Sequence, residues 1–243
     1  MIGGGSGRTP LSRLSGAARS AWAKHDCDGD GWMPLWRHMA VSAAVAGLLL
    51  DNWLPASVRR VVAAVLPGGD ADGRALVVWL AGVHDIGKVM PALVCQVEQF
   101  TDVMRATGLR TRSRRAMGSD RRVVPHGLAG QVLLGEWLEQ WCGWVARQAG
   151  QFTVMVGGHD WAPPEPGQVK ALFEHEELLR TPGRSGGLWW QVQSELLDAC
   201  AERGSGWRIG RGAFLSCRSG LMSHHGAGDA VRAVGQRLQR IVW

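Results

Sequence analysis

Six consecutive residues, Val83-His84-Asp85-Ile86-Gly87-Lys88, constrain this chain more than any other feature. They follow directly on an apolar run that starts at Ala75. An adjacent imidazole and carboxylate are a ready pair of metal ligands. Neutral imidazole suits transition metals, and a carboxylate has two oxygens with which to bridge two ions. On a helix the two side chains stand about 100° apart, so both can border one cavity. The Gly-Lys that follows offers a tight turn and a phosphate-seeking cation. Taken alone, the dipeptide is equally explained by a His-Asp hydrogen bond at a helix end. Further histidines tip the balance: His38 lies well before the pair, His126 and His159 well after it. The layout implies a metal centre assembled from several helices, and therefore hydrolytic chemistry.

The hydrophobic pattern agrees with a helical scaffold. Residues 36–53 read as a buried helix, rich in Ala and Leu and interrupted only by Gly47. Pro55 opens a helix to about residue 66, which Pro67-Gly68-Gly69 ends. A helix from about Gly73 carries His84 and Asp85 at its C-terminal end, and another spans 89–107. Residues 126–147 read as a long amphipathic helix. A short apolar segment, 152–158, delivers His159-Asp160 into the turn Ala162-Pro163-Pro164. Helices are also expected at 11–24, 169–180 and 188–202, and a Gly/Asp-rich loop at 25–34. No convincing strand alternation and no internal repeat is visible. The expected architecture is all-α: a flexible leader at 1–10, one helical bundle at 11–203 with a metal site at its centre, and an atypical Gly/Arg/Ser-rich tail at 204–243. Residues 232–243 of that tail carry an amphipathic pattern.

Charge and cysteine usage narrow the partners and the compartment. The 243 residues carry a formal charge of +6, which favours an anionic partner without proving one. Arg110, Arg112, Arg114, Arg115, Arg121 and Arg122 crowd one segment between the second and third histidine positions. That segment is either a solvated loop or a phosphate-tracking edge beside the site. The five cysteines form no C-x-x-C pair, so a reducing cytoplasm fits. The start lacks the pattern of a signal peptide, and the longest near-apolar run, 39–50, is too short to span a bilayer. No G-x-x-x-x-G-K-[ST] loop occurs, so no ATP motor of the usual kind is encoded here. Asp26-Cys27-Asp28-Gly29-Asp30-Gly31 mimics the start of a calcium loop, but its twelfth position is Arg37, where calcium needs a glutamate. His175 and the pair His224-His225 read as solvated or incidental.

Four ordered segments carry a resemblance: Pro34-Leu35-Trp36-Arg37-His38, Leu80-Ala81-Gly82-Val83-His84-Asp85-Ile86-Gly87-Lys88, Pro125-His126-Gly127, and Val156-Gly157-Gly158-His159-Asp160-Trp161-Ala162-Pro163-Pro164. Together they resemble the HD-superfamily nuclease domain of the CRISPR-associated helicase-nuclease of type I systems, over roughly residues 15–200 and without the helicase. The resemblance implies one or two divalent transition-metal ions (Mn²⁺, Co²⁺, Ni²⁺ or Fe²⁺) on His38, His84, Asp85, His126 and His159. Asp85 would be the bridging carboxylate, and Lys88 would sit near the scissile phosphate or brace the site. It also implies cleavage of single-stranded DNA in antiviral defence, with a separate helicase subunit and an RNA-guided surveillance complex as partners. Two departures stand out. The family commonly has two adjacent histidines where this chain has His159-Asp160; Asp160 is a competent but harder ligand. The family also has a late Asp in an Ala-Asp-Trp segment, which is missing here; Asp198 and Asp229 are the substitutes on offer. A truncated or non-native tail would explain that loss. The rival readings are an HD phosphohydrolase acting on nucleotides and an impaired remnant that only binds DNA.

Overall fold

Three prolines set where the helices that matter begin. Pro34, Pro55 and Pro125 each occupy the position just before a helix, with φ between −58° and −56° and an extended ψ. The ring locks φ and removes a donor that a first turn does not need. The helices they open are α2 (Leu35–Asn52), α3 (Ala56–Ala63) and α8 (His126–Cys142). The computed structural model describes residues 13–26, 31–64, 66, 68–118, 124–160 and 162–203.

The expected bundle is present, with one addition. The helix anticipated at 11–24 is only α1 (Gly16–Ser20), whose N-terminus is capped by the Ser15 side chain. The chain then extends into β1 (Trp22–His25), which pairs antiparallel with β2 (Trp32–Pro34). His25 and Trp32–Pro34 of the predicted loop are thus strand residues, and Asp26 N–H donates to Gly31 O at 2.7 Å. Strands of four and three residues are too short to show a period-2 signal. Burial holds them in place: Trp22 packs on Phe100, with ring centroids 5.7 Å apart.

Helix α4 (Asp70–Val83) runs up to the His-Asp pair, with Asp70 and Asp72 favourably placed in its first turn. A 3-10 turn, Ile86–Lys88, follows. The single helix expected at 89–107 starts only at Pro91, after an extended Met90, and is split into α5 (Pro91–Val94) and α6 (Glu98–Ala106) by a break that ends in the extended backbone of Val97. The basic segment contains α7 (Arg114–Met117). Helix α8 stops at Cys142, where Gly143 adopts the left-handed conformation, φ +66°. Helix α9 (Ala146–Gly157) absorbs the short apolar segment expected at 152–158. Helices α10 (Pro166–Phe173), α11 (Glu176–Leu179) and α12 (Arg184–Arg203) complete the described chain.

Helix α8 lies between two cores. Leu134, Trp137 and Leu138 face the larger one, with Trp79, Val83, Ile86, Phe152, Val156 and Trp189. Leu128, Val132 and Leu133 face the smaller one, with Met90, Met117, Leu172 and Leu179. Glycines bring α9 hard against α8: a Cβ at Gly127 would stand 2.6 Å from the Gly157 carbonyl oxygen. The start of α8 and the end of α9 are thereby neighbours. Among the described residues, no single helix is long and apolar enough to cross a membrane.

Candidate metal centre

Each predicted ligand sits at the end of a helix, where side chains can converge. His38 is in the first turn of α2, His126 is the first residue of α8, His84 caps α4, and His159 follows the end of α9. Asp85 lies in the turn beyond His84, at φ −97° and ψ 13°. Ile86 next to it is fully buried, worth about 1.5–3 kcal/mol, and pins that turn into the larger core.

The four histidines surround Asp85. His38 Nε2 lies 2.7 Å from Asp85 Oδ2, and His84 Nε2 lies 3.3 Å from the same oxygen. His126 Nε2 and His159 Nε2 lie 3.1 Å and 3.3 Å from the other oxygen, Oδ1. The carboxylate therefore presents one oxygen to each pair of imidazoles. In both triads, His38–His84–Asp85 and Asp85–His126–His159, the potential ligand atoms lie within 4.8 Å of one another. Lys88 Nζ closes back on Asp85 Oδ2 at 2.7 Å. Asp160 stands at the rim, its side chain 61% exposed, reaching His126 at 3.0 Å and His159 at 3.3 Å.

Ring orientation is set by backbone carbonyls. His84 Nδ1 donates to Ala81 O and His159 Nδ1 to Val156 O, both at 2.7 Å. Each neutral ring then turns the lone pair of Nε2 towards Asp85, the orientation that metal-binding histidines need. Lone pairs facing a carboxylate at this range repel unless a cation or a proton lies between them. The short approaches to Asp85 are also not all directed hydrogen bonds: His38 Nε2 and Asp85 Oδ1 are buried without a well-aligned partner. A divalent cation satisfies both, so the donor set fits a metal.

Electrostatics agree at Asp85 and His84. Burial alone would raise the Asp85 carboxyl, but the four imidazoles outweigh it and hold the group far below the usual carboxylate range. Burial pushes His84 down towards the neutral ligand form, against the pull of Asp85. His159 is also penalised by burial, yet Asp85 and the Val156 carbonyl leave it raised overall.

The other sequence candidates divide. Arg112, Arg114 and Arg115 are exposed, on a segment anchored by buried Leu109 and Met117. Two further bonds tie it down: Trp189 Nε1 donates to Arg110 O, and Thr111 Oγ1 to Pro91 O. Arg121, Arg122, Asp229, His224 and His225 lie outside the described residues. Asp198 is not drawn into either triad; its Oδ1 accepts from Trp137 Nε1 at 3.0 Å. His175 is exposed beside Glu177, as expected. Close backbone approach at Gly87, where a Cβ would meet the His126 carbonyl oxygen at 1.8 Å, was invisible in sequence beyond the glycine itself.

Histidines from separate helices gathered on one His-Asp pair in a helical bundle define an HD-type metal-site domain. The sequence matches the family model described as Cas3, HD domain, over residues 22–208, and the chain belongs to that family. Among curated proteins it is similar to the CRISPR-associated nuclease/helicase Cas3 of Streptococcus thermophilus, 28% identical over 157 residues, covering 58% of this chain and 16% of the relative. The chain thus spans about one sixth of that relative's length. Among solved structures, the Thermus thermophilus Cas3 HD domain in the presence of Ni²⁺ superposes with a TM-score of 0.55 at 20% identity, covering 94% of this chain and 92% of the other. The T. fusca Cas3 structure gives 0.58 at 19% identity, covering 94% and 26%.

Proposed function

We propose that this chain is a metal-dependent nuclease of type I CRISPR defence, cutting single-stranded DNA in the cytoplasm, with residues 11–203 as its catalytic unit. The observation that carries the reading is the division of Asp85: one oxygen faces His38 and His84, the other His126 and His159. Such a carboxylate suits one or two first-row transition ions, of which Mn²⁺, Co²⁺, Ni²⁺ and Fe²⁺ match an imidazole-rich set with carboxylates. A divalent ion bound there supplies Lewis-acid polarisation of a phosphoryl oxygen and acidifies water.

The chain's own groups do the positioning. Asp85 would hold the ion or ions together with His38, His84, His126 and His159. The Ala81 and Val156 carbonyls keep His84 and His159 turned inward. Lys88 holds Asp85 and adds positive charge where a phosphodiester would dock. Asp160, at the rim, completes the side of His126 and His159. Arg112, Arg114 and Arg115, with Arg121 and Arg122, track the backbone of the strand. A separate helicase subunit and an RNA-guided surveillance complex would deliver that strand. Support for a polymer over a mononucleotide comes from the anchored, exposed arginines.

The deciding experiment is cleavage of circular single-stranded DNA with Mn²⁺, beside Asp85→Ala. Cleavage that vanishes in the variant supports the proposal. A folded protein that leaves the circle intact with Mn²⁺, Co²⁺ and Ni²⁺ refutes it and favours a nucleotide hydrolase or a DNA-binding remnant. Mononucleotide hydrolysis and metal content separate those two.

A further inference from the structure

We propose that Gln193 is a positioning residue for the Asp85–Lys88 turn, and that it tunes metal affinity without touching an ion. The inference rests on the metal reading of the centre. Gln193 sits on α12 and is only 2% exposed. Its amide is fully engaged. Nε2 donates to Val89 O at 2.9 Å and to Leu179 O at 3.1 Å, while Oε1 accepts from Arg180 Nε at 2.8 Å. Arg180, itself 8% exposed, continues the chain of bonds to the Glu136 carboxylate on α8.

The location of Val89 gives this network its meaning. Val89 is wholly buried and follows Lys88 directly; its N–H closes the turn onto Ile86 O at 3.2 Å. Its backbone, at φ −87° and ψ 65°, has left the helical track, and α5 begins only at Pro91. The Val89 carbonyl accordingly takes its hydrogen bond from the Gln193 amide instead of from a helical N–H. A buried carbonyl without a donor is costly, so removing the amide pushes the turn to rotate until that oxygen finds another partner. Rotation there moves Lys88 and Asp85, whose side chains meet at 2.7 Å. Glu136 also shares α8 with His126. One network therefore braces both halves of the centre, the turn bearing Asp85 and the helix bearing His126. Apolar packing alone would have kept α12 in place with a leucine; a buried glutamine with all three bonds made fixes direction as well.

The test uses the full chain with Gln193→Met, which keeps the volume and loses the bonds, and Gln193→Glu, which keeps the acceptor and loses both donors. Val192→Ala, fully buried on the same helix, supplies a purely packing control. Arg180→Lys is a milder second probe that keeps the charge facing Glu136 and loses the Nε bond to Gln193. Mn²⁺ affinity is read by calorimetry, geometry by the visible absorption of Co²⁺, and stability by melting. Both Gln193 variants should bind Mn²⁺ about 10–100-fold more weakly and shift the Co²⁺ bands, the usual range for groups that orient ligands. Arg180→Lys should shift both in the same direction by less, and Val192→Ala should melt lower with wild-type affinity and spectrum. Wild-type affinity and bands in a folded Gln193→Met, or in Arg180→Lys should the Gln193 variants not fold, overturn the proposal. A wild-type chain that binds neither Mn²⁺ nor Co²⁺ overturns the metal reading itself, a separate result.

Discussion

Replacing Gly87 with alanine should damage fold and metal centre together. An added Cβ would stand 1.8 Å from the His126 carbonyl oxygen and 2.5 Å from the Gly130 nitrogen. Both are backbone atoms of α8, so no side chain can swing aside to make room. Ordinary contact begins at 3.4 Å. The turn and α8 must then part by roughly 1.5 Å, in an interior packed like a crystal. Overpacking typically costs about 1–3 kcal/mol, and backbone on both sides places this case near about 3. At about 2–4 °C per kcal/mol for a domain of this size, the melting temperature should fall by about 6–12 °C. The same displacement carries His126 away from Asp85 Oδ1, now 3.1 Å from its Nε2. Metal ligation tolerates only about ±0.2 Å, so Mn²⁺ affinity should drop by about 100-fold. Circular-dichroism melting and calorimetric titration measure the two effects. A variant that melts within about 2 °C of wild type and binds Mn²⁺ normally would refute the close approach of turn and helix.

Other expectations follow from the same geometry. Gly150→Ala, at a helical position of α9 with nothing within 4 Å, should raise stability by about 0.5–1 kcal/mol in a denaturant titration, the opposite sign to Gly87→Ala. Saturating Mn²⁺ at about 100 times its dissociation constant should stabilise the wild type by about 2.7 kcal/mol; chelator should erase the gain, and Asp85→Ala should never show it in melting curves. Partial desolvation beside Trp137 raises the carboxyl of Asp198, a residue otherwise exposed; the Trp137 N–H partly opposes this, and Glu202 and Glu195 add to the rise. The folded state holds that proton more tightly than the unfolded chain, so the unfavourable contribution at neutral pH is relieved as pH falls through the raised value towards 3.8. Asp198→Asn keeps an acceptor for Trp137; it should be at least as stable as wild type at pH 7, with the difference shrinking in acid, and a variant less stable at neutral pH would sink the argument. Changing Arg112, Arg114 and Arg115 to alanine should weaken single-stranded DNA binding and lower its log–log salt slope by about 0.7 per lost phosphate contact; an unchanged slope would exclude those contacts.

Helix starts were legible because proline and chain direction act locally. Pro34, Pro55 and Pro125 mark their helices in the sequence as plainly as in the structure. The grouping of His38, His84, Asp85, His126 and His159 was legible through ordered motifs, although spacing by itself says nothing about distance in space. The failures have distinct physical causes. The hairpin at 22–34 is too short for periodicity and depends on burial of Trp22 against Phe100. Helix α9 contains Gly150 and Thr153, which weaken local propensity, and it is held by packing on α8. The later start at Pro91 is readable from the proline, whereas the break between α5 and α6 falls at residues with no glycine or proline to mark it. The Gln193 network was not readable at all: its partners lie at residues 89, 136, 179 and 180, and no local rule pairs an amide with a distant carbonyl.

The ligands are strung along the chain at intervals of about forty residues, one group per helix end, and such long-range contacts form late in folding. The first half of the centre can close once α4 has docked on α2. The second half waits for α9 to return against α8. A chain emerging from the ribosome therefore carries imidazoles long before it carries an assembled centre, and the final histidine arrives only when most of the topology is in place. Ion capture would then lock a nearly finished fold rather than template an unfinished one.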